Sequence, residues 1–175
     1  MAALIYDVFN TPFGWTASLV SSIGIRALTI QSSPQEAVQR LGRGLHGARQ
    51  DPEAVLSIRR AIEDYSNGKC HSLQDLVLDV GGAPPFFSVA WEACRAIPIG
   101  ETRSYGWLAA AAGRPTAFRA AGQAMAHNPV ALVIPCHRVV ASDGSLGGYG
   151  MGGLTVKVRL LELETCARME LNPYH

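Results

Sequence analysis

The sequence predicts an α/β N-terminal module, a small antiparallel sheet with helices, followed by a mainly α C-terminal domain with a helix-turn-helix. Apolar and polar residues alternate early in the chain, as in half-buried strands, and helical spacing dominates later. The run GGAPP at residues 81–85 is typical of a linker. Two later helical stretches are separated only by GRP at residues 113–115. We therefore expect domains over residues 1–82 and 83–175.

The N-terminal elements are predicted from alternation and from turn residues. Turn sequences separate three alternating stretches, and Gly and Pro delimit the helices that follow. Asp51 is placed to cap the second helix, and Gly68 to end it. The predicted strands are residues 4–9, 15–22, 25–31 and 76–80, and the predicted helices are residues 34–45 and 52–66.

The C-terminal elements are predicted mainly from apolar residues at helical spacing. A first helix covers residues 86–97 and ends at Pro98. Ser104 is a candidate N-cap for a short helix that reaches residue 112. Gly113 stops that helix, and Pro115 is expected in the first turn of another that reaches residue 127.

Composition excludes several classes of protein. With 175 residues, 48% hydrophobic and 17% charged, the chain is long and apolar enough to bury a core, unlike a disordered segment. Its four cysteines form no CxxC pair, so neither a disulfide framework nor a zinc site is expected. The N-terminus lacks the pattern of a secretory signal, and no apolar run is long enough to span a bilayer. We expect a protein of the cytoplasm or nucleus.

Charge is unevenly distributed along the chain. The formal net charge is only +1, but residues 95–159 carry seven Lys and Arg against two acidic residues, Glu101 and Asp143. Such a segment is suited to a phosphate backbone, although the sequence pI of about 7.7 is below that of a dedicated nucleic-acid binder. Charge therefore permits DNA binding without establishing it.

The predicted second helix of the helix-turn-helix is unusually slim. Residues 116–126 read TAFRAAGQAMA, with few side chains that could address base edges in a major groove. A helix trimmed to Ala and Gly could approach a widened minor groove, but small residues also allow close helix packing, and both interpretations stay open at this point. Arg119, the single cation at its centre, favours the first, because it could fill the gap left by an extruded base.

The strongest chemical signal is IPCHRV at residues 134–139, directly after an apolar run. It presents the Cys136 thiol at the end of a buried segment, and a thiol needs a partner that lowers its pKa to react. His137 is the nearest base, but neighbouring side chains of an extended backbone point to opposite sides, so water or a bend must connect them. Glu164 is a candidate to orient the imidazole. A structural cysteine beside a surface histidine is the alternative.

Several motifs in order resemble the O6-alkylguanine-DNA alkyltransferase family. These are IPIGETRSYGWLA and FRAAG, then HNPVALV, IPCHRVV, SDGSLGGYG and GGL. The match covers residues 86–164, and the first 82 residues fit the family's variable N-terminal α/β domain by pattern and position. Two departures are visible: Phe118 occupies a position that is normally small, and the loop 149–154 is one residue longer than expected.

The resemblance implies a role for each matching residue. Cys136 would accept the alkyl group through a relay of water, His137 and Glu164, and Asn128 would organise the turn behind the cysteine. Tyr105 would clamp the DNA phosphate and protonate the leaving base. Arg119 would replace the flipped nucleotide on DNA, with Ala120, Ala121, Gly122, Gln123 and Met125 as further DNA-binding candidates, and Val139, Tyr149, Gly150 and Met125 would form the base pocket.

The implied reaction is a single irreversible transfer, which needs neither a cofactor nor a metal. The implied partner is double-stranded DNA containing O6-alkylguanine, with O4-alkylthymine as a second substrate to test, and a monomer without membrane contact is expected. The target base must leave the helix stack before reaction. A non-catalytic sensor of alkylated DNA is the main alternative. A cysteine hydrolase is a weaker one, because it would leave the helix-turn-helix and Arg119 unexplained.

Overall fold

The computed structural model describes residues 3–171, which form two compact units. The first unit comprises residues 3–81 together with Pro129–Ala131, and the second comprises Gly82–Asn128 together with residues 132–171. Within the described residues, none of the helices has the length and apolar character needed to cross a bilayer.

The first unit is built on a four-stranded sheet. Strands β1 (Ile5–Thr11), β2 (Gly14–Val20) and β3 (Ile25–Gln31) pair antiparallel in the order β3-β2-β1. The two-residue strand β4 (Arg49–Gln50) lies parallel to β1, so the sheet is mixed rather than purely antiparallel as predicted. Gly14 at the β1–β2 turn has a φ of +131°, and a Cβ there would lie 2.8 Å from the Gln31 carbonyl oxygen. Glycine is thus required at this turn.

Two α-helices complete the first unit. Helix α1 (Pro34–Arg40) starts at Ser33, whose side chain accepts a hydrogen bond from the Glu36 amide. The predicted single helix 34–45 is divided, because a separate 3₁₀ turn, Gly42–Leu45, follows at Gly42 with a φ of +58°. Helix α2 (Leu56–Ser66) follows a 3₁₀ turn, Glu53–Val55, whose first amides donate to the Asp51 carboxylate as the cap prediction requires.

The predicted strand at residues 76–80 is wrong. This segment forms only an isolated bridge, in which Leu78 lies parallel to Ile25 and two backbone hydrogen bonds flank the contact. A short apolar alternation was sufficient to suggest a strand, but its residues pair at one point only. One buried hydrophobic cluster of this unit lies between the sheet and α1, and is formed by Ala17 and Leu19 on the sheet and by Ala37 and Leu41.

The second unit is mainly helical, as predicted. Its helices are α3 (Pro85–Arg95), α4 (Tyr105–Ala111), α5 (Phe118–Ala126) and α6 (Leu154–Leu171). Trp91 on α3 donates its indole N–H to the Ala124 carbonyl oxygen at 2.8 Å, which joins α3 to α5. A short parallel pair of strands, β5 (Arg103–Ser104) and β6 (Val139–Val140), brings the start of α4 beside the segment that follows Cys136.

The boundaries of α4 and α5 explain part of the sequence pattern. Ser104 caps α4, because its hydroxyl accepts the Trp107 amide at 3.0 Å. Gly113 ends the helix with a φ of +79°. Helix α5 begins at Phe118 rather than near Pro115, so the prediction for Pro115 is wrong: it lies in the turn between the helices.

Candidate active site

Cys136 lies in a turn, not in an extended segment. The apolar residues before it are buried but turned, with Leu132 at a φ of +67°, and Cys136–Arg138 forms a single 3₁₀ turn. The expected extended backbone is therefore wrong, because the chain bends at Cys136–Arg138. Only 7% of the Cys136 surface is exposed.

Asn128 connects this turn to the end of α5. Its side-chain amide donates to the Ile134 carbonyl oxygen at 2.8 Å and to the Cys136 sulfur at 3.1 Å. One side chain thus holds the turn closed and supplies a donor to the sulfur. Because such a donor interacts more strongly with a thiolate than with a thiol, it favours ionisation of Cys136.

His137 and Glu164 form a buried pair. The His137 Nε2 lies 2.8 Å from a Glu164 carboxylate oxygen, and both side chains are fully buried. The other ring nitrogen, Nδ1, is buried and has no hydrogen-bond partner among the described residues. The imidazole is therefore oriented by the carboxylate and has one nitrogen left for proton exchange.

Arg138 also binds the Glu164 carboxylate. Its guanidinium holds both carboxylate oxygens of Glu164, each at 2.8 Å, and also donates to the Ile97 carbonyl oxygen at 2.7 Å. The Gly100 amide donates to the same carboxylate at 3.3 Å. Burial by itself would raise the pKa of Glu164, but the hydrogen bonds and charges of His137 and Arg138 hold it well below its ordinary value. Glu164 is thus a permanent anion.

The remaining pKa shifts describe a resting site that is neutral at its reactive atoms. Burial raises the pKa of Cys136, and the Asn128 hydrogen bond and the Lys157 charge offset this only in part. Burial lowers the pKa of His137 below 6.5, against the opposing effect of Glu164. Burial and the nearby Cys136 raise the pKa of Tyr105. At neutral pH the site therefore holds a thiol, a neutral imidazole and a protonated phenol.

Lys157 is a site residue that the sequence analysis missed. Its ammonium is buried and donates to the carbonyl oxygens of Val139 and Leu146, at 2.8 and 2.5 Å. It also lies 6.0 Å from the centre of the Tyr149 ring. One signal was available: Lys157 falls on the same helical face as Leu160 and Glu164, where an apolar residue is expected.

Three base-pocket candidates, Val139, Tyr149 and Gly150, lie in or close to the segment 139–146, whose end residues accept hydrogen bonds from Lys157. Val139 is buried, Tyr149 is half-buried, and Gly150 is exposed. The Tyr149 hydroxyl is buried and close enough to Cys136 to lower the thiol pKa, although its geometry is not that of a regular hydrogen bond. A Cβ at Gly147 would lie 3.6 Å from the Tyr105 hydroxyl, so Tyr105 borders the same loop.

The DNA-binding candidates on α5 divide between two faces. Arg119 and Gln123 are exposed, and Ala120 and Gly122 are half-buried. Ala121 and Met125 lie on the buried face with Ala124, because residues three and four apart share one side of a helix. The placement of Ala121 and Met125 argues against direct contact with DNA. Met125 remains a predicted residue of the base pocket.

Comparison with known proteins identifies the family. Residues 85–166 match the family model described as "6-O-methylguanine DNA methyltransferase, DNA binding domain". The methylated-DNA–protein-cysteine methyltransferase of Methanosarcina barkeri is 48% identical over 161 residues, which cover 92% of this chain and 97% of that protein. The chain belongs to the O6-methylguanine-DNA methyltransferase family.

Structures of members of this family agree with the fold. Mycobacterium tuberculosis OGT in complex with DNA matches with a TM-score of 0.77 and 35% identity, over 93% of this chain and 94% of that one. O6-methylguanine-DNA methyltransferase from Pyrococcus kodakaraensis matches with a TM-score of 0.65 and 27% identity, over 92% and 98%. The small sheet with helices is thus the family's architecture. Residues 3–171 contain no cluster of three His, Cys, Asp or Glu side chains able to hold a metal ion.

Proposed function

We propose that this protein repairs DNA by transferring the alkyl group of O6-alkylguanine irreversibly to its own Cys136, as a methylated-DNA–protein-cysteine S-methyltransferase. The observation that carries the assignment of Cys136 is its geometry: a nearly buried thiol has an amide donor on its sulfur and a neutral, carboxylate-oriented imidazole as its sequence neighbour. Relatives with this activity in their names support the reaction class.

In the proposed reaction, one proton leaves the Cys136 thiol and one electron pair leaves with guanine. The Cys136 thiol gives its proton through water to His137 Nδ1, and Glu164 stabilises the resulting imidazolium. The thiolate attacks the alkyl carbon, an S–C bond forms, and the C–O6 bond breaks with its electrons left on guanine. The Tyr105 phenol protonates the leaving guanine, and the proton held on His137 later returns to Tyr105 through solvent. The net result is an S-alkylcysteine and an ordinary guanine.

The chain's own side chains supply what this displacement needs. The donor on the Cys136 sulfur from Asn128 and the charge of Lys157 stabilise the thiolate as it forms. Because its pKa is raised, Tyr105 keeps its proton at neutral pH and is available as a donor to the leaving guanine. No residue here could break the thioether product, so each molecule acts once.

DNA binding is assigned to residues 83–175 and the helix-turn-helix of α4 and α5. In this proposal α5 enters the minor groove, and Arg119 fills the space left by the flipped nucleotide. The exposed position of Arg119, and the small Gly122 and Ala126 on the same side of the helix, support this orientation. Residues 1–82 form a separate N-terminal domain in this proposal. We propose a cytoplasmic location, since these relatives are archaeal and bacterial, and we keep the monomer that the sequence analysis expects.

The experiment that tests the function is the intact mass of the protein after incubation with a duplex containing one O6-methylguanine. We expect a gain of one methylene group, limited to one per molecule, and no gain for Cys136→Ser. Peptide mapping should place the methyl group on Cys136. Tight binding to the lesion with no change in mass would overturn the transferase assignment and favour a lesion sensor with an inert thiol.

A further inference from the structure

Exposed aromatic side chains are concentrated on α4 and α5. Between residues 3 and 171, the aromatic residues that are largely exposed are Trp107 on α4 and Phe118 on α5, with 39% and 54% of their surface accessible. Burial of a phenylalanine side chain is worth about 1.5–3 kcal/mol. At 54% exposure, Phe118 gains only part of this stabilisation within its own unit, so burial against a partner would add to it.

Phe118 has a defined place on the exposed face of α5. With 100° between successive residues, Phe118, Gly122 and Ala126 form one line along the helix, and Arg119 begins the neighbouring line. The buried residues Ala121, Ala124 and Met125 face the other way. The solvent side therefore presents the small residues Gly122 and Ala126, with Phe118 and Arg119 at its N-terminal end and Gln123 one turn after Arg119.

Charge indicates what kind of partner covers this exposed face. From residue 102 to residue 142 the sequence contains no Asp or Glu, and the exposed Arg114 and Arg119 lie on or next to the two helices, whereas Arg103 is paired with Glu101. A surface of this composition complements a polyanion rather than an ordinary protein surface. It is also continuous with the groove-binding face proposed above, so the occupant that fits is duplex DNA.

We propose that Phe118 is an apolar wedge that enters the minor groove beside Arg119 and unstacks the base step next to the flipped nucleotide. This inference rests on the proposed function. Apolar side chains inserted at a base step partly unstack it and widen the minor groove. The small residues of α5 then allow the helix to lie in the widened groove. Arg119 occupies the vacated stack while Phe118 holds the adjacent step apart, so the two neighbours divide the task of keeping the base extruded.

The test compares Phe118→Ala with the unchanged protein on three substrates. On a duplex with one O6-methylguanine, we expect the second-order rate constant of transfer to fall about tenfold, equivalent to about 1.4 kcal/mol. On the same lesion in a single strand, and on free O6-methylguanine base, we expect less than a twofold change, since no base step has to be opened. Phe118→Leu should recover most of the duplex rate. Met169→Ala, which removes an apolar side chain that is 66% exposed on α6, is the matched control.

A second measurement follows unstacking without chemistry. In a Cys136→Ser background, 2-aminopurine placed next to the lesion should brighten on binding, and Phe118→Ala should reduce this increase while Met169→Ala does not. An unchanged duplex rate and unchanged fluorescence would overturn the wedge. Equal loss on the duplex and on free base would also overturn it, by placing Phe118 in the pocket instead. Failure of the parent protein to methylate itself from any substrate would refute the proposed function, and the fluorescence would still decide the wedge.

Discussion

At the scale of single residues, effects of opposite sign act on the pKa of the Cys136 thiol. Burial disfavours the thiolate, whereas the Asn128 amide and the Lys157 ammonium favour it, and the net effect is a raised pKa. A raised pKa protects the thiol from adventitious alkylation and oxidation, because the thiolate is the reactive species. In the proposed mechanism, reaction then depends on His137, whose neutral imidazole takes the proton when a substrate is present.

This arrangement predicts an unusual pH profile. The rate constant for transfer should be constant between pH 6.5 and pH 9.0, because His137 has its pKa below 6.5 and Cys136 has its pKa above 9.0. The rate should fall only as the pH drops below 6.5, where the imidazole begins to take a proton from solvent. Single-turnover kinetics on one duplex across this range will measure it.

A matched variant separates the two groups. In His137→Gln the plateau should disappear, and the rate should rise with pH towards and beyond 9.0, because the thiolate must then form without a base. A midpoint at or above pH 6.5 in the unchanged protein would contradict the lowered pKa of His137. Stability should change with the same sign: below pH 6.5 the unfolded chain binds a proton that folded His137 does not, so the free energy of unfolding decreases.

At the scale of elements, α6 brings two buried charges of opposite sign to the site. Glu164 anchors His137 and Arg138, and Lys157, two turns earlier, holds the carbonyl oxygens of Val139 and Leu146. The helix therefore secures both the turn after Cys136 and the loop that carries Tyr149. Lys157 donates to backbone oxygens, which do not neutralise its charge, and that charge acts to lower the pKa of the thiol.

Lys157→Met tests this connection. We expect the pKa of Cys136 to rise further, and the free energy of unfolding to fall by about 1–3 kcal/mol, because two carbonyl oxygens lose their donor. The pKa can be followed by the pH dependence of iodoacetamide alkylation in a Cys166→Ser background, since Cys166 is exposed. Arg95→Met makes the same change of net charge at an exposed position and should leave the thiol unchanged. A Cys136 pKa equal in both variants would contradict the role of Lys157.

At the scale of the whole molecule, the candidate site belongs to one unit. The side chains of Tyr105, Asn128, Cys136, Lys157 and Glu164 come from distant points of the sequence and all lie in the second compact unit. Two of the seven cations counted in residues 95–159, Arg138 and Lys157, are buried in this site. The basic segment therefore supplies five cations at most to a DNA surface, and part of the charge pattern serves chemistry instead.

Transfer should also change the stability of the molecule. A methyl group on Cys136 adds volume where only 7% of the residue is exposed, next to the Asn128 amide at 3.1 Å. Overpacking of this kind costs about 1–3 kcal/mol. At roughly 2–4 °C per kcal/mol, we expect the methylated protein to unfold several degrees lower. Calorimetry after complete transfer, against protein incubated with unmodified duplex, will measure the difference, and an equal or higher Tm would contradict it.

The sequence by itself indicated the family, predicted most helices and strands, and pointed to Cys136 as the candidate nucleophile. Ser104, Gly113 and the apolar spacing of α3–α6 act over a few residues, so their effects can be predicted locally, and the IPCHRV motif marks Cys136 directly. Local patterns failed where a distant partner decides the outcome. Residues 76–80 pair at a single bridge, and α5 starts three residues after Pro115.

Only the tertiary structure decided how the site works. The hydrogen bonds from Arg138 to Ile97 and Glu164, and from Lys157 to Leu146, join groups that lie 11 to 41 residues apart. The helical position of Lys157 was the one local signal of its burial, because the burial of a charge is stable only when its hydrogen-bond partners come from other elements. Residue type thus determines which reactive groups are present, and packing determines their orientation and their pKa values.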